Sequence, residues 1–104
     1  MSESIQRARQ IAKKVLAGEY DPLLACREIA MMKEDLTVVP DEVMTGFRGI
    51  DSEVDGLPLG HERAYWDKQA LHEKDTIAAN YREQVREAIL EDMRMLLEAT
   101  DDHR

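Results

Sequence analysis

The chain has one cysteine, Cys26, so no internal disulfide can form, and a reducing cytoplasm is the expected setting. No apolar run approaches the roughly 20 residues that a membrane-spanning helix needs. Arg7, Arg9, Lys13 and Lys14 interrupt the apolar positions near the start, which leaves no unbroken signal-peptide core. Basic charge is scarce too: 14 Lys and Arg stand against 22 Asp and Glu, a formal net charge of −8. Nucleic-acid binding needs a basic footprint, so that partner class is disfavoured. Aromatics are only 5% of the residues, and aliphatic side chains with six methionines must fill most of the core. There is no G-x-S-x-G elbow and no phosphate-cradling glycine loop. Nothing else points to catalysis, and the chain reads as a non-enzyme.

What is present is helical periodicity. At 104 residues the chain predicts one domain with one core. Ile5, Ala8, Ala12, Val15 and Leu16 recur at helical spacing and predict a helix over 3–18, capped by Ser2 or Ser4 and stopped by Gly18. Asp21-Pro22 predicts the start of a second helix, 21–35, with Leu23, Cys26, Ile29 and Ala30 inward. A short joint makes these two an antiparallel hairpin. Residues 36–66 hold Pro40, Pro58 and the glycines 46, 49, 56 and 60, and no period persists there. That stretch predicts an ordered, irregular insertion with a turn or two of helix or a short hairpin. Ala78, Tyr81, Val85, Ile89, Met93 and Leu96 form the stripe of a last helix, 67–99, with Asp67 as its cap. Such a helix would run about 48 Å, longer than the ~30 Å of a small domain. It either breaks near His72–Thr76 or projects and packs on another chain. Met95, Leu96 and Leu97 near its end favour a homodimer, because one face cannot bury all three. Asp101 to Arg104 should fray. The expected fold is all-α.

The most specific string runs from Asp51 to Glu62 and reads D-x-E-x-D-G-x5-E. It resembles the calcium loop of the EF-hand family. The resemblance implies a calcium site with side chains from Asp51, Glu53, Asp55 and Glu62, a carbonyl from Leu57, and a sharp turn at Gly56. Glu53 is longer than the usual third ligand, and Pro58 lacks the N–H that would pair with a partner loop. Gly46 and Gly49 make a poor entering helix.

A second resemblance covers about residues 20–98. It rests on Ala25-Cys26-Arg27, Phe47-Arg48-Gly49-Ile50-Asp51-Ser52-Glu53-Val54-Asp55, Leu57-Pro58-Leu59-Gly60, Arg63, Trp66, Ala70-Leu71 and Lys74-Asp75. This order is similar to a family of small bacterial proteins of uncharacterised function. They join a helical hairpin, a loop F-x-G-I-D-S-E-x-D-x-L-P-x-G-x-x-R-x-x-W and a C-terminal helix. The resemblance implies a bacterial cytoplasmic source and brings no activity with it.

The same loop has a purely structural account. Arg63 can pair with Asp51 or Glu53, and Trp66 can lie on the helical layer with Phe47 and Leu59. Asp51, Glu53, Asp55, Arg63 and Trp66 are then interaction or scaffold residues. Other candidates are weaker. His61-Glu62 and His72-Glu73 begin like H-E-x-x-H, but Tyr65 and Thr76 stand where the second histidine belongs. Cys26 lies on an apolar helix face, as a buried structural thiol does. Glu83, Glu87 and Glu91 form an acidic stripe, relieved by Arg86 and Arg94. The acidity is uneven: residues 1–35 balance, whereas 36–66 and 67–104 each carry −4. The expected function is a small, acidic protein-interaction or regulatory module, immunity-like in size and charge, with a basic protein as partner. The alternative is a calcium- or metal-binding protein using residues 51–62.

Overall fold

A computed structural model describes residues 3–101. Four α-helices follow one another: α1 (Glu3–Leu16), α2 (Pro22–Ala30), α3 (Asp41–Glu53) and α4 (Lys68–Ala99). Short 3-10 turns at Lys33–Asp35 and His61–Tyr65 lie in the connections. The described residues contain no strand, so the all-α expectation holds. None of these helices is long and apolar enough to cross a membrane.

The hairpin of α1 and α2 forms as its signals predict. Gly18 adopts φ +76°, which its missing side chain permits. The amide of Gly18 then donates to Val15 O and that of Glu19 to Lys14 O, closing α1 in a Schellman motif. Asp21 caps α2, its carboxylate accepting from Leu23 N at 2.9 Å, and Pro22 fills the first helical position. Ser4 does not cap α1. It lies within the helix and donates to Asp35 Oδ2 at 2.9 Å. Ser2 and the tail 102–104 lie outside the described residues.

Two boundaries differ from the sequence expectation. The second helix ends at Ala30 and not at Asp35. Past Ala30 the apolar period fails, and Met31 stands in solvent. The chain tightens into the 3-10 turn and swings Leu36 and Val39 back into the core. The insertion 36–66 is not irregular throughout, for α3 occupies thirteen of its residues. Val43, Met44, Phe47 and Ile50 keep a helical period, and all four are buried. The two internal glycines cost about 1 kcal/mol each relative to alanine. Burying those four side chains returns about 1.5–3 kcal/mol apiece, so packing decides.

Helix α4 does not break. It runs through His72–Thr76 without interruption, and the molecule is 49 Å long against 24 and 23 Å across. Asp67 caps it as predicted, accepting from Ala70 N at 3.0 Å. Ala78, Ile89, Met93 and Leu96 are buried, with Tyr81 and Val85 partly so. Residues 68–77 bury nothing and overhang the bundle. Leu96 is covered within the chain, and Met95 and Leu97 pack on the core, because α1 lies along this end of α4. The three residues that favoured a dimer therefore have cover of their own. Arg9 closes the helix: it donates to Leu97 O at 2.8 Å and Thr100 Oγ1 at 2.6 Å, placing a cation at the negative end of the helix dipole. Asp101, the one described residue of the tail, pairs with Arg9 at 3.5 Å.

Candidate functional site

The acidic segment is organised by a residue of α2. Arg27 is the one charged side chain in the run Leu23–Cys26 through its own position, and only 19% of its side chain is exposed. Its guanidinium donates to Glu62 Oε2 at 2.9 Å and Val54 O at 3.0 Å. Longer contacts reach Asp51 Oδ1 at 3.4 Å and Leu57 O at 3.5 Å. Val54, Leu57 and Pro58 are buried beneath, so the strap 54–66 is seated by apolar contacts and tied by one fork. Glu62 also accepts from Leu59 N at 3.2 Å. Its own backbone N–H, those of Leu59 and Gly60, and the Arg27 guanidinium hold this carboxyl below the usual range.

Asp51 and Glu62, the first and last side chains of the calcium-like string, thus converge, but on a guanidinium. Calcium would have to displace Arg27 from both. Glu53 and Asp55 do not join them. Asp51 and Glu53 occupy the last turn of α3, where two residues apart means about 200° apart around the axis. Glu53 faces Tyr81 on α4 instead, close enough to help raise that phenol's pKa after burial has done so. Gly56 has no left-handed backbone; among the described residues only Gly18 does. No three His, Cys, Asp or Glu side chains among the described residues gather as a metal site.

Arg63 pairs with neither Asp51 nor Glu53. The strap carries it to α4, where it grips Asp75 in a bidentate pair at 2.7 and 3.0 Å and also donates to Pro58 O at 3.1 Å. The pair holds the Asp75 carboxyl below its ordinary value. Trp66 is partly exposed and does not join Phe47 and Leu59 on the core, because the 3-10 turn His61–Tyr65 carries it to the end of the strap. Tyr65 beside it is 89% exposed.

Cys26 is fully buried, and burial pushes its thiol up to about 12, with Asp92, Asp21 and Asp51 adding to the effect. It is an inert core side chain. Tyr20 donates a short hydrogen bond to Glu28; burial, then that bond, pushes the phenol up to about 12. His61 and His72 are exposed.

On the outer side, α3 presents Arg48 and Ser52 to solvent, and the turn that follows it presents Asp55. With Ala30, Met31 and Asp51 they line an open hollow of about 430 Å³. A neighbouring hollow of about 500 Å³ shares Arg48 and is lined further by Lys33, Thr37, Val39, Met44 and Thr45. Met31 is 79% exposed and Val38 45% exposed on this side of the molecule. The periodicity of α2 gives no warning of an exposed methionine, since α2 ends five residues before the expected Asp35. No protein-family model, curated protein or solved structure matches the chain.

Proposed function

We propose that the chain is a non-catalytic protein-interaction module, and that it docks a basic protein segment on the outer face of α3 and the adjoining end of α2. The observation that carries this reading is Met31, an apolar side chain 79% exposed at the rim of a hollow that also holds Asp51, Ser52 and Asp55, with Arg48 as its one cation. An exposed apolar side chain rimmed by polar groups can anchor a docking partner. Asp55 pairs with no described cation, so its charge is free to meet a partner's. The inert thiol and the −8 net charge fit a small regulatory protein of a reducing bacterial cytoplasm, one that occupies a partner's surface as immunity proteins do.

Affinity capture from native lysate at low salt, with three forms of the chain, tests this. The wild type should retain a partner that elutes with salt. Met31→Lys with Ser52→Lys should lose it, while Tyr65→Ala on the connection between α3 and α4 should keep it. Capture of nothing, or of proteins indifferent to Met31 and Ser52, overturns the assignment. Sedimentation of the free chain shows whether the occupant is a second copy.

A further inference from the structure

Asp92 lies where α4 crosses α3, next to the buried Met93 and three residues from Ile89. It is half-buried, and among the described residues it makes no hydrogen bond or ion pair. A β-carbon built on Gly46 of α3 would stand 2.5 Å from one oxygen of its carboxyl group. The carboxyl therefore fills the space that the missing side chain of Gly46 leaves. The one charge that acts on it is an acidic neighbour, and no cation pairs with it among the described residues. On α4 its neighbours a turn away are Ala88, Ile89, Met95 and Leu96, with the adjacent Glu91 as the nearest charge. On α3 the charged residue one turn from Gly46 is Glu42. From α2 it faces the thiol of Cys26, which senses it.

We propose that Asp92 is a proton-operated contact between α3 and α4, closing the crossing when neutral and loosening it when charged. A charged carboxylate set on a glycine backbone, with no cation opposite, gains little to offset the water it gives up. A neutral carboxyl fills the same space at lower cost. Burial raises the Asp92 carboxyl above the ordinary aspartate range, and Glu91 adds to the shift. The stabilisation is complete below the ordinary aspartate pKa and is lost as pH rises through the raised, folded-state value. Because α3 also carries Arg48 and Ser52, the proton on Asp92 governs how firmly that outer face is held. This holds whether or not the face binds a partner.

The test is a carboxyl-carbon NMR titration of the full chain. Asp92 should titrate above the ordinary aspartate value of about 3.9. Amide exchange at Gly46–Ile50 and Ile89–Met93, corrected for intrinsic rates, should slow as pH falls toward that midpoint. Each unit of elevation corresponds to about a tenfold difference in protection between the two forms. Asp92→Asn should remove the pH dependence of this protection, and Gly46→Ala should push the carboxyl into water and return its midpoint toward the ordinary value. A wild-type midpoint at or below the ordinary value overturns the proposal whatever the variants do. So does an Asp92→Asn chain whose exchange keeps the wild-type pH dependence.

Discussion

Among the described residues one guanidinium, that of Arg27, has four partners. Arg27 satisfies Val54 O and Glu62 closely, and Asp51 and Leu57 O more loosely. Removing it leaves a carbonyl and a carboxylate at the base of the strap without their donor, which costs about 2 kcal/mol. Arg27→Ala should lower the urea midpoint accordingly, and the emission of Trp66, the sole tryptophan, should shift as the strap loosens. Arg27→Lys should recover only part, because an ammonium cannot fork to two acceptors in one plane. Gly49 points the other way. Its φ is ordinary for a helix, and a β-carbon there would meet nothing within 4 Å. Gly49→Ala should stabilise by about 0.5–1 kcal/mol, read by thermal or urea unfolding. Residues were legible from sequence where they serve local geometry, as Gly18, Asp21 and Asp67 do. Arg27 was not, because its partners lie 24 to 35 positions away and only tertiary structure brings them near. The visible signal was a lone arginine on a short helix that is otherwise mostly apolar.

Helix α3 shows what hides an element. Its glycines and the prolines on either side read as punctuation, yet Val43, Met44, Phe47 and Ile50 repeat with a helix's period and Val54 follows them into the core. Composition competed with periodicity, and burial settled the contest. The candidate calcium string lost its loop for the same reason. Once Asp51 and Glu53 belong to a helix, their side chains diverge, and what spacing aligned on paper the helix separates. Helix α4 shows the converse. Its stripe was plain, but its length looked excessive for the bundle. The overhanging residues 68–77 survive on the Asp67 cap and on the Arg63 pair at Asp75. With no buried residue among them, their amides should exchange faster than those of Ile89–Leu96. Arg63→Ala should speed exchange at 68–77 further and leave Ile89–Leu96 unchanged. Equal acceleration along the whole helix would show that the strap supports α4 globally.

Across the whole molecule, arginines join the elements in turn. Arg9 ties α1 to the end of α4, Arg27 ties α2 to α3 and the strap, Arg63 ties the strap to α4, and Arg82 ties α4 back to Asp21 at the start of α2. With these cations engaged internally, an acidic excess is left at the surface. That excess favours a basic partner, and it makes the chain's own stability sensitive to protons in two opposed ways. Glu62 and Asp75 have lowered carboxyl pKa values. Their contribution is present above the ordinary carboxylate range and is lost as pH falls through their folded-state values. Asp92 is raised, so its contribution is present below the ordinary aspartate pKa and is lost as pH rises through its own. Self-repulsion of the net negative charge also eases as pH falls from neutrality. These dependences predict a stability maximum on the acid side of neutrality, between the raised and the lowered carboxyls. Urea midpoints from about pH 7 down to about pH 3 should rise, then fall as the clamps protonate below about pH 4. Asp92→Asn should flatten the rise and leave the fall. Asp75→Asn should weaken the fall and leave the rise. A profile that declines steadily from neutrality would mean that the arginine clamps outweigh Asp92 and the charge excess together, and that folding is governed by the strap.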